Sequence, residues 1–168
     1  MTWRGSTTVQ ERILASLPYA FPMIEAAPFG MLLMGQFPAL GILLLPLSPF
    51  MAVYGVLNMI LRGYAGLAIF FALYMLVVRN EAIKHFIRFN TMQALLIGIA
   101  ASIVSILLDL VGIRLGAASF LPLPFIVLFG VIFLGVMGAA IYSIVSALLG
   151  RYSEIPAISE AAQTQVRY

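Results

Sequence analysis

Polar side chains are scarce in this sequence, and those present fall at spacings that narrow the chemistry they can do. Thr91, Ala94, Gly98, Ser102, Ser105, Asp109 and Gly112 recur every three or four residues in a stretch otherwise mostly Leu, Ile and Val. That period puts small and hydroxyl-bearing residues on one narrow stripe of a helix, suited to close helix packing or to lining a path. Asn90 and Gln93 stand where the stripe begins and can hydrogen-bond a neighbouring helix or a passing polypeptide. Asp109 stands at its far end, where a carboxylate needs water or a partner such as Arg114. Upstream, Lys84, His85 and Arg88 form a basic segment that either docks head groups and partners or only anchors the topology.

None of these groups makes a catalytic constellation. His85 is the sole histidine and cysteine is absent, so neither a zinc site nor thiolate or disulfide chemistry is expected. No glycine-rich phosphate loop, GxSxG or HExxH occurs, nor a pair of carboxylates within an apolar run. The expectation is a protein without catalytic residues, cofactor or metal. A net charge of +3 is too slight to imply nucleic acid.

The elements that position these residues follow from composition. Hydrophobic residues make up 63% and charged residues 9% of the chain, against about 45–50% and about 25% in soluble domains. Uncharged runs cover Ala26–Leu61, Gly63–Val78, Phe89–Leu108 and Leu115–Gly150. They lack the alternation of a barrel strand, so the fold class is an all-α integral membrane protein. Four transmembrane helices are expected near Phe37–Leu61, Tyr64–Val78, Thr91–Ile113 and Pro124–Leu149. The second is short, about 23 Å, and relies on Arg62 and Arg79 extending to the interfaces.

Prolines at 22, 28, 38, 46 and 49 predict irregular chain at the interface before the first span and kinks at Pro46 and Pro49. Three divisions result: an N-terminal interfacial segment over 1–36, a four-helix transmembrane domain over 37–150 and a polar C-terminal tail over 151–168. Thr8 and Glu11 have capping-box spacing, with Val9, Ile13, Leu14 and Leu17 on one face until Pro18, which predicts an amphipathic interfacial helix. A second interfacial helix is expected from Asn80, with Ile83, Phe86 and Ile87 on its apolar face. Small-residue stripes also occur at Ala65, Ala68 and Ala72, and at Gly135, Ala139, Ser143, Ser146 and Gly150. Pro156 separates the tail from a short segment starting near Ser159, and the tail is either a docking element or disordered.

Four spans place Arg4, Arg12, Arg79, Lys84, Arg88, Arg151 and Arg167 on one side and only Arg62 and Arg114 on the other. This bias puts both termini in the cytoplasm or its organellar equivalent. The first residues lack the features of a secretory signal.

Two stretches say more than their composition. "HFIRFNTMQALLI" (85–97) and "YSEIPAISEAAQTQVRY" (152–168) closely resemble the signature segments of the Tic-twenty family, the twenty-kilodalton subunit of the translocon at the chloroplast inner envelope. The proline-rich "FPALGILLLPLSPF" also looks familial. The resemblance implies a four-span protein with both ends stromal or cytoplasmic, without catalytic chemistry, that helps preproteins through a membrane together with other subunits. Phe89, Asn90, Gln93 and Ala94 match in the first motif. Glu154 to Ile158 and Val166 to Tyr168 match in the second. None carries an assigned role. Without a long N-terminal targeting extension the chain looks like a cyanobacterial or plastid-encoded member, placed in a cyanobacterial plasma or thylakoid membrane or a plastid inner envelope.

Three functions remain open at this point. A translocon subunit would offer a path for polypeptides along Asn90, Gln93, Gly98, Ser102, Ser105 and Asp109. A small-solute or ion permease would use Asp109, though no internal repeat is evident. A non-conducting scaffold would recruit partners through its basic face and tail. The expected partners are other translocon or membrane-complex subunits, translocating polypeptides and the lipid bilayer, with further copies of the chain as an additional candidate.

Overall fold

The first helix starts where a capping box starts it. In the computed structural model, which describes residues 7–110 and 123–166, the Glu11 backbone N–H donates to Thr8 Oγ1. The Thr8 N–H donates in turn to the Glu11 carboxylate. Helix α1 (Val9–Ser16) ends in a 3₁₀ turn over Leu17–Tyr19 that carries Pro18, and the chain continues directly into α2 (Ala20–Gln36).

Helix α2 corrects the expectation of irregular chain before the first span. Pro22 lies in its first turn, where the missing N–H has no intrahelical acceptor to lose, and only Pro28 interrupts the interior. Tertiary packing outweighs that single loss: Phe21, Met23, Ala26, Ala27, Phe29 and Gly30 are buried. Phe29 meets Phe129 edge-on, with ring centroids 6.0 Å apart. A Cβ on Gly30 would lie 2.7 Å from the Phe133 ring, so the close approach to the next helix requires glycine there.

A 3₁₀ segment over Pro38–Leu47 runs into α3 (Ser48–Ile60), so the prolines at 38, 46 and 49 tighten the helix locally. Asn58 and a left-handed Gly63 (φ 95°) close the turn to α4 (Ala65–Leu73), which passes into a π turn over Tyr74–Val78. The interfacial helix expected from Asn80 does not form as a separate element. Asn80 Oδ1 accepts from the Ala82 N–H and makes a turn, and one helix, α5 (His85–Leu110), then runs without interruption.

Helix α6 (Leu123–Leu148) ends at Gly150 (φ 73°), and α7 (Ile158–Gln165) completes the chain. The described residues are helical, with no strand. Among the described residues three helical stretches are long and apolar enough to cross a membrane: Pro38–Ile60, His85–Leu108 and Pro124–Leu148. Ala65–Val78 is apolar but shorter.

Helix α2 is the centre of the assembly. Glu25 reaches Ser102 and Phe21 lies against Gly98, so α2 runs parallel to α5. Gly30 meets Phe133 and Leu33 meets Gly130, so α2 runs antiparallel to α6. Half of the apolar window of α5 is buried, against 6% of the Pro38–Ile60 window, so α3 is peripheral.

Candidate functional site

Two polar clusters interrupt the apolar interior. The first lies at the basic end of α5 and is built on Gln93. This side chain is fully buried, and each of its polar atoms is used. Gln93 Oε1 accepts from Tyr19 Oη at 2.9 Å and from Ser153 Oγ at 2.7 Å. Gln93 Nε2 donates to Ser159 Oγ at 2.9 Å and to the Ser153 carbonyl at 3.4 Å. Asn90, one turn earlier, offers its Oδ1 to Tyr19 Oη at 3.0 Å while its Nδ2 donates to the Phe86 carbonyl.

Ser159 Oγ in turn donates to the Ser153 carbonyl and accepts from the Ile155 N–H, so one hydroxyl closes the loop before α7. A buried network in which each member is satisfied orders the groups that make it, because any stranded member would carry its full desolvation cost. The tail is therefore a docked element. Tyr152 packs edge-on against Phe86 and Phe89, with centroids 5.2 and 5.0 Å away, and Ala162 and Val166 are buried beside Phe21 and Leu95. The motif at 85–97 and residues 152–166 of the second motif thus form two sides of a single interface.

The three basic residues at this end have internal roles. Lys84 pairs with Glu11 and joins α5 to α1, although its side chain stays 62% exposed. The pairing holds the Glu11 carboxyl below its ordinary pKa of 4.5. His85 Nδ1 lies 3.2 Å from Tyr152 Oη, and its ring stacks on Phe89. Arg88 is buried, and its Nε donates to the Val78 carbonyl at 2.8 Å, where it satisfies the end of the π turn.

The second cluster lies further along α5. Tyr54 Oη on α3 donates to Glu25 Oε1 at 2.7 Å, and Ser102 Oγ on α5 approaches Glu25 Oε2 at 3.4 Å while donating to the Gly98 carbonyl at 3.0 Å. A Cβ on Gly66 would stand 2.7 Å from Glu25 Oε1, so α4 brings bare backbone onto the same carboxyl. Glu25 therefore ties four helices together. A carboxyl among apolar helices marks a site, because it is costly there without such partners. Charge spacing could not single it out, since Glu25 stood only as the boundary of the run beginning at Ala26.

Of the sequence-derived positions, Asn90 and Gln93 belong to the first cluster, and Gly98 and Ser102 to the second. Ser105 is half-buried on the same helix. Asp109 lies in the backbone of α5, but its side chain and Arg114 fall outside the described residues, as does Gly112. Tyr19, Glu25, Tyr54, Ser153 and Ser159 are additional. Among the described residues no group of three His, Asp or Glu side chains is placed to hold a metal ion.

Comparison with known proteins bears on both motifs at once. The family model described as chloroplast import apparatus Tic20-like matches residues 8–162, from the capping box to α7. The chain belongs to the Tic20-like family. A "Tic20 family protein" of Synechocystis sp. is 40% identical over 159 residues, covering 95% of this chain and 94% of that one. "Protein TIC 20-II, chloroplastic" of Arabidopsis thaliana is 30% identical, covering 99% and 78%. "Tic20 family protein Ycf60" of Pyropia yezoensis is 33% identical, covering 96% and 78%. The family thus spans chloroplast and cyanobacterial proteins, and its members resemble this chain across nearly all of its length.

Proposed function

We propose that the protein is a membrane subunit of a protein-translocation machinery, contributing part of a path by which polypeptides cross or enter the membrane. The match to the chloroplast import apparatus family over residues 8–162 carries this reading. The geometry adds support. Beyond the Gln93 network, the polar face of α5 continues through Ser102 and Ser105 beside Glu25, with α3 and α4 covering it loosely. A loosely covered polar stripe is where a chain carrying its own backbone amides finds partners that lipid cannot supply.

In this reading α2 crosses the bilayer beside α5 and α6, Ala65–Val78 is a short crossing, and α1 lies in the interface. Both ends of the chain face the cytoplasm or stroma, on the side of the Gln93 network. The membrane is a cyanobacterial plasma or thylakoid membrane or a plastid inner envelope. Lys84 and His85 border the surface on which companion subunits sit. No step in this role calls for catalysis by the chain.

Conditional depletion tests the role. Membranes stripped of the protein should lose insertion or transport of a reporter polypeptide and regain it when the wild-type chain is restored. Unchanged reporter flux after complete depletion would contradict the proposal.

A further inference from the structure

An open cavity of about 740 Å³ lies beneath α3 and α4, nearer the basic end of α5 than Ser102 and Ser105, neither of which lines it. Its walls come from five helices, through Leu14 on α1, Phe21 on α2, Val53 on α3, Ile69 on α4 and Ile87 on α5 among others. The only hydroxyls in the lining belong to Tyr54 and Thr91, and both protons are committed, to Glu25 and to the Ile87 carbonyl respectively.

This chemistry discriminates among occupants. An extended polypeptide would bring backbone amides into a space with no donor to spare, and each buried amide left unpaired is costly. A helix about 10 Å across, rising about 1.5 Å per residue, fills roughly 120 Å³ per residue, so the cavity takes roughly six residues where a span needs about twenty. The cavity is open on one side, and left empty its apolar walls would lack packing partners. The volume is that of a small-ligand pocket, and the surroundings are a bilayer.

We infer that the cavity holds one acyl chain of a bilayer phospholipid, which acts as packing between the α3–α4 hairpin and α1, α2 and α5. One end is bounded by Ile83 and Ile87. This is the charged segment between Arg79 and Arg88, which must lie at the membrane surface. There Lys84, exposed while paired to Glu11, stands where the lipid phosphate emerges. The lipid supplies the apolar seam that α3 otherwise lacks, since no residue of α3 is itself buried.

Lipid carry-through tests this. The full chain is reconstituted in vesicles of phosphatidylglycerol and phosphatidylcholine, extracted into mild detergent, purified, and its phospholipid content measured by mass spectrometry. The wild type should keep one phospholipid per chain. The cavity-filling variants Val53→Trp and Val77→Trp, singly and combined, should lose it while keeping their helical circular dichroism. Val131→Trp, on the exposed face of α6 away from the cavity, should retain it as a control, and either single filling variant suffices if the other fails to fold. Equal phospholipid in wild type and correctly folded filling variants would overturn the inference. So would a lipid-free wild type, or a co-purifying polypeptide displaced by the filling variants.

Discussion

Gln93 and Ser153, sixty residues apart, hold each other at both ends: the serine hydroxyl donates to the amide oxygen over 2.7 Å, and the amide nitrogen donates to the serine carbonyl over 3.4 Å. This reciprocal contact turns a polar tail into part of the folded unit. It also explains why the two signature motifs occur together in one chain.

Replacing Gln93 by Leu should strand the Ser153 hydroxyl and loosen the Tyr19 contact, lowering stability by about 1–3 kcal/mol. Thermal unfolding in detergent measures the loss, and limited proteolysis should show residues 153–166 cut faster than in the wild type. An unchanged melting temperature with a protected tail would rule out the latch.

Removing the Glu25 clamp should act on the α3–α4 hairpin. Tyr54→Phe should cost about 1–3 kcal/mol, the range for leaving a buried acceptor unpaired, because the Glu25 carboxyl loses its closest donor. Glu25→Gln keeps an acceptor for Tyr54 and should cost less. Hydrogen exchange of α3 amides distinguishes them: exchange should quicken in Tyr54→Phe more than in Glu25→Gln.

The α2–α6 seam admits no side chain at Gly30. Gly30→Ala should destabilise by about 1–3 kcal/mol through overpacking against Phe133, and Phe133→Leu should recover part of that loss. Gly135→Ala, where a Cβ meets nothing within 4 Å, should be neutral. Equal melting temperatures for the Gly30 and Gly135 variants would contradict the seam.

Docking of α1 should depend on pH. Lys84 lowers the Glu11 pKa below 4.5, so the contact contributes fully above that value and is lost as the pH falls through the depressed one. Hydrogen exchange across α1 should therefore rise under acid conditions, and salt should weaken the contact because Lys84 is exposed. In Lys84→Ala the acid step across α1 should shrink to the part carried by the Thr8 capping bond.

Local signals in the sequence were strong where one physical term dominated. The Thr8–Glu11 capping box and the apolar lengths of α5 and α6 emerged from spacing alone. Helix α2 did not, because prolines argue against a helix while its buried Ala26, Phe29 and Gly30 act through tertiary contact. Glu25 went unread for a related reason: the partners that make it tolerable, Tyr54 and Ser102, lie far away in sequence. Ser153 and Ser159 are ordinary residues until Gln93 is placed beside them.

The proposed passage of polypeptides along the polar face of α5 can be followed by site-specific photocrosslinking in membranes engaged with an arrested substrate. Probes at Ser102 and Ser105 should form adducts with the substrate, and a probe at Val131 should label lipid only. Substrate adducts on neighbouring subunits, with none from Ser102 or Ser105, would place the path elsewhere.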